Sequence, residues 1–515
     1  MIPNWFRDAI GYEVYPQSFM DQNNDGIGDL CGITAKLDYI RDLGCNLIWV
    51  NPCFDSPMMD AGYDVRDYRK VAPRYGTNDD LIALFHAAHD KGVRVLLDLV
   101  PGHTSMDHPW FVASQKHERN EYSDRYIWTD FIFDKPKDYY WITGRTERNG
   151  CAMINCFDTQ PSLNYGFAQV TQPWQKRYTE PCCKATFDDM LDVMRFWLDL
   201  GCDGFRVDMA FSLVKDDPEK DATASLWQRA QEMLRSEYPE AVLISEWGDP
   251  EKALCKAGFQ GDFYVVFAGE GAKSLLRNGE KTYFRSAARG DLNIFLNEYD
   301  ARYAASRKDG YICFITGNHD EERVSTELSQ DELKLAYAFL LTLPGVPFVY
   351  AGDEIGMRQL DLPSKEGGYY RTGCRTPMQW DDSHAHGFST ADTSRLYLPQ
   401  DNRPDAPNVA AQRKDAHSLW RFLQSLLALR AAQADLRADA PYEPVYVGER
   451  GYPFVYRRGG LLLAMNVTQE TKTIPQTIQS PLFVHGAWRT TNEGTELAPQ
   501  SFVVWEAASS AAPLR

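Results

Sequence analysis

The sequence predicts an α/β fold: a (β/α)8 TIM barrel with an inserted subdomain after strand 3 and a C-terminal antiparallel β domain. Three observations support this prediction. Continuous apolar runs alternate with amphipathic helical segments, the stretch after VRVLLDLVPGH lacks that alternation, and short β runs replace it beyond about residue 430. Apolar strands that alternate with helices indicate a parallel sheet covered by helices. The number of such units favours a closed barrel over a doubly wound sheet.

The barrel strands are predicted from apolar runs that end in polar residues. These runs are NLIWVNP (46–52), VRVLLDLVPGH (93–103), DGFRVDM (203–209), AVLISEWG (241–248), YICFITGNHD (311–320) and GVPFVYAGDE (345–354). Helical spacing marks segments between them, such as DDLIALFHAAHDKG (79–92) and FDDMLDVMRFWLDLG (187–201). We assign 1–103 and 181–430 to the barrel, 104–180 to the inserted subdomain and 431–515 to a C-terminal β-sandwich domain.

The net charge argues against two classes of partner. The 515 residues include 54 Lys and Arg and 72 Asp and Glu, which gives a net charge of −18. An acidic chain is unsuited to nucleic acid or to an anionic membrane surface. We therefore expect a neutral small-molecule substrate. The sequence does not indicate an oligomeric state.

The N-terminal residues and the cysteines indicate a cytoplasmic location. MIPNWFRDAI lacks the apolar core of a signal peptide, and no run of about 18 apolar residues suggests a membrane span. The 11 cysteines are odd in number and scattered, without the spacing of a disulfide framework or a metal site. We therefore expect reduced cysteines and a cytoplasmic protein.

Charged residues stand at the ends of the predicted strands. Arg206 and Asp208 share one face of their strand because side chains alternate, whereas Phe205 and Val207 face the helix layer. The same end of other strands carries Asp98, His103, Glu246, His319 and Asp320. If Arg206 and Asp208 are considered without the other residues, a structural ion pair is an alternative explanation for them. Because active sites of such barrels form at this end, the whole set predicts an active site.

Several carboxylates around one cavity, without a Ser or Cys nucleophile motif, favour glycoside hydrolysis. One carboxylate attacks the anomeric carbon, and a second, kept protonated by its surroundings, protonates the leaving oxygen. An arginine beside the nucleophile keeps that carboxylate ionised and oriented.

Four motifs give the chain a resemblance to glycoside hydrolase family 13, the α-amylase family. DLVPGH, GFRVDMA, SEWG and TGNHDEER resemble its four sequence regions in the right order, and QPSLNY (160–165) resembles a fifth. RTPMQWD (375–381) and GVPFVYAGDEIGM are similar to stretches of its oligo-1,6-glucosidase and α-glucosidase branch. The resemblance covers nearly the whole chain.

The resemblance implies a role for each of these site residues. Asp208 would be the nucleophile, Glu246 the general acid/base and Asp320 the residue that binds sugar hydroxyls. The implied substrate-binding residues are Asp60, Tyr63, His103, Arg206, His319 and Arg371. Asp60 and Arg371 would hold the non-reducing-end sugar, which favours small oligosaccharides. The alternative for this pair is an exposed salt bridge of little energetic value.

Three positions depart from the family pattern. Gly102 stands where the first region commonly has an Asn that binds calcium in classical α-amylases, which argues against that calcium site here. Ser162 replaces the common Asp of the fifth region. Met209 follows the nucleophile, at a position that often correlates with linkage preference, and indicates neither 1,4 nor 1,6 linkages.

The segment DQNNDGIGD (21–29) predicts a structural calcium site. Oxygen-bearing groups recur at every second position, and calcium prefers six to eight oxygen ligands. The expected ligands are the side chains of Asp21, Asn23, Asp25 and Asp29 and the carbonyl of Ile27. A similar loop binds calcium in the oligo-1,6-glucosidase-like branch. The alternative is an Asx-rich turn without metal.

The sequence therefore predicts a retaining α-glucosidase that acts on short α-glucosides from the non-reducing end. A glucosyl-transferring or isomerising enzyme of the trehalose synthase or sucrose isomerase type is the first alternative, because the same covalent intermediate serves both. A catalytically inactive sugar-binding protein is the second, and the complete set of Asp208, Glu246 and Asp320 argues against it.

Overall fold

Eight parallel strands close into a barrel in the computed structural model, which describes residues 2–144, 146–264, 269–366 and 371–507. The strands are β1 (Gly11–Val14), β2 (Leu47–Val50), β3 (Arg94–Leu99), β4 (Gly204–Val207), β5 (Val242–Ser245), β6 (Gly261–Tyr264), β7 (Tyr311–Ile315) and β8 (Val346–Tyr350). Each strand pairs with the next one, and β8 pairs with β1. The predicted barrel is confirmed.

Helices precede, separate and follow the barrel strands, and most of them cover the outside of the barrel. They are Asn4–Arg7, Pro16–Phe19, Leu30–Ala35, Leu37–Leu43, Asn78–Asp90, Pro109–Ser114, Pro181–Asp199, Asp221–Glu237, Glu251–Lys256, Glu270–Leu276, Leu292–Ser306, Gln330–Leu340, Val409–Lys414 and Leu419–Ala432. The helix Asn78–Asp90 shows why they form: Thr77 and Asp80 make a reciprocal capping box, and Leu81, Leu84 and Phe85 recur on one buried face.

The barrel interior is a packed core closed at its N-terminal end. Phe6, on the helix before β1, is fully buried and packs 5.7 Å from the ring of Tyr311, the first residue of β7. The same apolar cluster includes Leu47, Trp49 and Phe263 from other strands. Charged side chains appear only nearer the carboxyl ends of the strands, where the predicted site residues lie.

The chain between β3 and the helix Pro181–Asp199 forms a loosely structured unit with a small core of its own. It contains a two-stranded sheet, Trp141–Ile142 with Ala152–Met153, and its core joins Ile127, Met153, Phe167 and Trp174. A second small sheet, Phe54–Asp55 with Asp67–Val71, lies in the loop after β2. The sequence patterns do not predict this second sheet.

Two antiparallel sheets form the C-terminal part. One sheet has five strands, in the spatial order β9 (Tyr442–Glu449), β10 (Tyr452–Arg458), β11 (Leu461–Asn466), β16 (Ser501–Glu506) and β13 (Phe483–His485). The other has three strands, in the spatial order β12 (Lys472–Ile474), β15 (Gly494–Leu497) and β14 (Trp488–Thr491). Val455, Ile474 and Leu497 belong to one apolar cluster shared by the two sheets. Phe454 and Phe502 lie instead in the large cluster that includes the barrel's outer layer. Residues 508–515 of the predicted domain lie outside the described residues.

Across the described ranges of the chain, no helix combines the length and the apolar character that a membrane span requires.

We predict that Phe6→Ala lowers the free energy of unfolding by about 3–5 kcal/mol, because it removes a buried ring and leaves a cavity. Urea unfolding followed by circular dichroism measures this loss. Phe133→Ala is the matched control, since Phe133 is 77% exposed and its loss should cost no more than about 0.5 kcal/mol. Equal losses in the two variants would show that Phe6 is not part of the barrel core.

Candidate active site

The carboxyl ends of the barrel strands surround one cavity of about 350 Å³. It is lined by Asp60, Tyr63, His103, Cys156, Phe157, Asp208, Met209, Glu246, Asn318, Asp320, Glu321 and Arg371. Seven of the nine predicted catalytic and substrate-binding residues therefore line it directly, and the other two, Arg206 and His319, contact residues that do. A larger open groove of about 900 Å³ beside Trp247 contains none of the predicted catalytic carboxylates, so its size does not make it the site.

Arg206 lies beneath the cavity and contacts three carboxylates. Its Nη1 lies 2.8 Å from Asp98 Oδ1 and 3.1 Å from Asp208 Oδ1, and its Nη2 lies 2.9 Å from Glu246 Oε1. The strand register explains the first contact, because Asp98 on β3 pairs with Arg206 on β4. Arg206 is only 2% exposed. The predicted inward direction of Arg206 and Asp208 is what the structure shows.

Asp208 and Glu246, two of the carboxylates that share Arg206, have raised affinities for protons. Burial and the nearby Glu246 raise the pKa of Asp208, while Arg206 opposes that rise. Burial also raises the pKa of Glu246, again opposed by Arg206. Because one cation faces several carboxylates, the pair binds protons in separate, coupled steps. The arrangement can keep one carboxylate ionised while its neighbour carries a proton.

Two backbone features aim Glu246 at the cavity. Its Oε2 accepts a hydrogen bond of 2.9 Å from the N–H of Met209, whose φ of 39° is left-handed. Asp262 on β6 accepts hydrogen bonds from the N–H groups of Trp247 and Gly248, at 3.2 Å each. Burial raises the pKa of Asp262 to about 7, although these hydrogen bonds oppose the rise. The loop that carries Glu246 is therefore tied to two neighbouring strands.

Asp320, at the end of β7, lies among cations. Its Oδ1 lies 2.8 Å from Arg375 Nη2 and also contacts Arg371, and its Oδ2 lies 3.1 Å from His319 Nε2. Burial raises the pKa of Asp320, but His319, Arg371 and Arg375 outweigh burial and hold that pKa well below its usual range. Asp320 is therefore ionised at neutral pH, whereas the pKa values of Asp208 and Glu246 are raised.

The predicted pair of Asp60 and Arg371 forms and is buried. Arg371 contacts both Asp60 and Asp320, and Gln160 donates a hydrogen bond of 2.6 Å to Asp60 Oδ2. The side chains of Arg371 and Asp60 are 8% and 6% exposed, so the alternative of an exposed salt bridge is wrong. Burial raises the pKa of Asp60 to about 6, opposed by Arg371. The pair closes one side of the cavity.

The two predicted histidines occupy different electrostatic environments. His103 Nε2 lies 3.2 Å from the carbonyl of Tyr63 and His103 Nδ1 lies 3.2 Å from Asn155 Nδ2. Burial lowers the pKa of His103 to about 3, so this ring is neutral. The ring of His319 stacks on Tyr63 with centroids 5.3 Å apart and an interplanar angle of 10°. Asp64 accepts hydrogen bonds from the N–H groups of Met59 and Asp60, in the loop before Tyr63.

Gly102, one of the departures from the family pattern, has a local packing reason. A Cβ at this position would lie 2.6 Å from Asn155 Nδ2. Asn155 itself accepts a hydrogen bond of 2.9 Å from Lys215. Burial lowers the pKa of Lys215 to about 7. The inserted chain therefore approaches His103 closely because residue 102 has no side chain.

Four residues that support the site were missed at the sequence level. They are Glu13, Gln160, Asp262 and Arg375, all of which are buried. Glu13 and Asp262 carry the same signal that identified Arg206, namely a charged residue inside a short apolar strand. Arg375 belongs to the RTPMQWD motif, but the motif alone gave it no role.

The predicted calcium loop, residues 21–29, lies outside the cavity. Asp21 accepts hydrogen bonds from the N–H groups of Asn24 (2.7 Å) and Gly26 (2.8 Å). Asp29 Oδ1 accepts one of 2.7 Å from the N–H of Gly32, at the start of a helix. The predicted ligands all offer oxygen, so they suit calcium by type. The hydrogen bonds are also those of an Asx-rich turn, so both alternatives remain.

In residues 2–144, 146–264, 269–366 and 371–507, no three His, Cys, Asp or Glu side chains cluster in a way that could hold a metal ion. A calcium site in the loop would therefore depend on Asn23 and on the Ile27 carbonyl as well as on carboxylates. The calcium assignment stays a prediction.

Comparison with known proteins agrees with this geometry. A family profile described as "Alpha amylase, catalytic domain" matches residues 13–439. The trehalose synthase/amylase TreS of Mycobacterium tuberculosis (strain ATCC 25618 / H37Rv) is 34% identical over 477 residues, which cover 83% of this chain and 75% of that protein. The oligo-1,6-glucosidase of Heyndrickxia coagulans is 30% identical over 571 residues, with coverage of 97% and 99%.

A solved structure extends the similarity to nearly the whole fold. The α-glucosyl transfer enzyme XgtA superimposes with a TM-score of 0.78 and 26% sequence identity, covering 98% of this chain and 99% of that one. The profile match alone includes all eight barrel strands except the first two residues of β1. The protein is therefore a glycosidase-family enzyme and belongs to the α-amylase family, glycoside hydrolase family 13.

Proposed function

We propose that the protein is a retaining α-glucosidase that hydrolyses short α-glucosides of the maltose or isomaltose type from the non-reducing end. One observation carries this proposal: a single buried guanidinium, that of Arg206, contacts both Asp208 and Glu246 at the floor of the cavity. Two carboxylates so close together suit a double displacement, in which one attacks and the other moves protons.

In the proposed first step, the Asp208 carboxylate attacks the anomeric carbon while Glu246 gives its proton to the glycosidic oxygen. The bond between that carbon and the oxygen breaks, the alcohol leaves, and the glucosyl unit becomes an ester of Asp208. Glu246 then takes a proton from water as the water oxygen attacks the same carbon. The ester bond breaks, free glucose leaves, and both carboxyl groups return to their starting states.

The surrounding charges support these roles. Burial and Glu246 raise the pKa of Asp208, and Arg206, 3.1 Å away, is the cation that opposes this rise and stabilises the ionised form that attacks. Burial raises the pKa of Glu246, which favours the protonated acid. Asp320, which its cationic neighbours keep ionised, supplies negative charge near a transition state that resembles an oxocarbenium ion.

The closed side of the cavity supports a short substrate and attack at the chain end. Arg371 bridges Asp60 and Asp320, and all three line the cavity. Buried, charged hydrogen-bonding groups recognise sugar hydroxyls strongly because an unmatched substrate leaves them unpaired. We propose that this bridge holds the terminal glucose, which excludes binding of an internal stretch of a long polymer.

Glucosyl transfer or isomerisation is the second candidate function. The names of the matched proteins favour it, since they include a trehalose synthase/amylase and an α-glucosyl transfer enzyme. The proposed covalent intermediate is common to both activities, and only the acceptor of the glucosyl unit differs. The products therefore distinguish the two candidates.

We further propose that the loop 21–29 binds calcium as a structural ion. The alternation of oxygen-bearing residues and the oxygen-only donor set support this proposal. The ion would fix the loop conformation and would take no part in the reaction, because its expected ligands do not line the cavity.

A cytoplasmic location is also proposed. Its support is the state of the cysteines, because all 11 are free thiols in the structure. Four of them are not buried: Cys31, Cys156 and Cys255 are exposed, and Cys182 is half-buried. Free thiols persist in reducing compartments.

We predict that Asp208→Asn lowers kcat by roughly 10⁴-fold or more, because the amide cannot form the glucosyl ester. Initial rates on a chromogenic α-glucoside measure the loss, and an unchanged Tm shows that the variant is folded. Asp188→Asn, which changes a surface carboxylate paired with Arg229, is the control and should keep full activity. Near wild-type turnover by the Asp208 variant would contradict the assignment of Asp208 as the nucleophile.

We predict that maltose, isomaltose or both give free glucose as the main product, because the intermediate is open to water. Chromatography of the products from maltose, isomaltose and sucrose tests this. Trehalose from maltose, or an isomer of sucrose, would support the transfer candidate instead. Binding without turnover of any α-glucoside in this panel would support the inactive sugar-binding protein.

We predict that millimolar calcium raises the Tm of chelator-treated protein by a few degrees, because a ligand that binds only the folded state stabilises it. Differential scanning calorimetry gives this readout without any activity assay. Asp25→Asn should abolish the calcium-dependent increase and change the Tm of the metal-free protein little. An unchanged Tm with calcium would identify the loop as an Asx-rich turn.

A further inference from the structure

The His319 ring lies between two carboxylates. Its Nδ1 is 2.7 Å from Glu13 Oε1, and its Nε2 is 3.1 Å from Asp320 Oδ2. Glu13 and His319 are both fully buried. Glu13 lies on β1, 306 residues away in sequence, and does not line the cavity itself.

The hydrogen bonds around the ring require a proton on each ring nitrogen. The Tyr63 hydroxyl contacts His319 Nε2 and lies 3.0 Å from Asp98 Oδ2. Asp98 is ion-paired with Arg206 and can only accept, so the single hydroxyl proton of Tyr63 goes to Asp98. The hydroxyl oxygen must then accept from Nε2–H. Nδ1 faces Glu13 Oε1 at 2.7 Å and the Nδ2 of Asn51 at 3.1 Å. Burial raises the pKa of Glu13, and hydrogen bonds from His319 and Asn51 oppose that rise. The shorter contact of Nδ1 is to this acceptor, and the Asn51 amide can donate to Glu13 instead, so Nδ1 also carries a proton.

We propose that Glu13 is a positioning residue that keeps His319 doubly protonated, so that the ring presents a fixed positive charge beside Asp320 in the sugar-binding cavity. This inference rests on the proposed function only for its effect on catalysis. The charge state of His319 is a property of the protein that can be measured without a substrate.

The groups that face His319 from each packed element are consistent with this charge. Glu13 lies on β1 and Asp320 on the loop of His319 itself, and Tyr63 and Asn51 follow β2. Arg375 Nε donates a hydrogen bond of 2.7 Å to the backbone carbonyl of His319, away from the ring nitrogens. The ring centroid of Tyr15 lies 5.9 Å from that of His319. The two carboxylates are the charged groups nearest to the ring nitrogens in this set.

The direction of the pKa shift agrees with the proton count. Burial lowers the pKa of His319, but Asp320 and Glu13 outweigh burial and raise it to about 9. The ring nitrogens of His103 contact the Tyr63 carbonyl and the Asn155 amide rather than a carboxylate, and burial, with a smaller contribution from Lys215, lowers its pKa to about 3. The carboxylates, rather than burial, therefore explain the difference between the two histidines.

The expected pH dependence follows from this sign. The imidazolium is present below the pKa of His319 and is lost as the pH rises through about 9. Without the Glu13 charge, Asp320 alone opposes burial, and the pKa falls from about 9 toward the ordinary value of about 6.5. The alkaline limb of kcat/KM then moves to lower pH, while activity near pH 6 is largely retained. A purely structural role for Glu13 would lower activity at every pH alike.

The experiment is an NMR titration of full-length protein labelled with ¹³C at histidine Cε1, in wild type and in Glu13→Gln. His319→Gln assigns the signal. We expect the His319 signal to stay at the imidazolium position up to about pH 8 in wild type and to titrate below about pH 7 in Glu13→Gln. The ratio of kcat/KM at pH 8 to that at pH 6 should fall about 10-fold or more in the variant.

Glu354→Gln is the matched control, because Glu354 is an equally buried carboxylate that accepts hydrogen bonds from Tyr12 and Tyr39, outside the cavity. It should change the Tm and leave both the His319 titration and the pH profile unchanged. A neutral His319 in wild type at pH 7 would overturn the proposal, and this test needs no variant to fold. An unchanged His319 titration in Glu13→Gln would overturn it as well. The expected titration without turnover of any α-glucoside would support the role of Glu13 and contradict the proposed function.

Discussion

The buried Arg206 guanidinium is the interaction on which the rest of the site depends. A single cation contacts Asp98, Asp208 and Glu246 at the carboxyl end of the barrel. Buried carboxylates are costly unless they are paired, and three of them around one cation carry more negative charge than the cation can neutralise. That excess keeps one carboxyl group inclined to hold a proton while another stays ionised, which is the condition that acid–base chemistry with a nucleophile requires.

The barrel tolerates this costly arrangement because its apolar core and its charged site occupy different places. Apolar side chains such as Phe6, Trp49 and Phe263 fill the interior toward the N-terminal ends of the strands, and the charged groups are confined to the mouth. The loops add further charges at defined places. Asp320 lies among Arg371, Arg375 and His319 and is ionised, whereas His103 lies against neutral groups and carries no charge. One side of the cavity thus has the carboxyl groups with raised pKa values, Asp208 and Glu246, and the other side has the ionised Asp320 among its cations.

Much of the site was predictable from sequence because strand ends converge in a closed parallel barrel. Asp208, Glu246 and Asp320 follow three apolar runs, and the structure brings them to one cavity. Glu13 was not predicted, although it is a charge inside a short strand like Arg206 in GFRV, because no apolar run marked residues 11–14 as a barrel strand. Its partner His319 is 306 residues away, and only the closure of β1 against β8 brings the two together. The small sheet after β2 was missed because one of its strands has only two residues and three of the five residues in the other are exposed.

The central claim is that Asp208, held by Arg206, forms a covalent bond to the sugar. The most direct measurement is the mass of the protein after incubation with a 5-fluoro-α-glucosyl fluoride, whose slow second step lets the intermediate accumulate, followed by peptide mapping. The account predicts one fluoroglucosyl unit per chain, attached to the peptide that contains Asp208, with release of fluoride. Attachment at another carboxylate, or rapid hydrolysis of natural α-glucosides through a pathway that never labels Asp208, would contradict it.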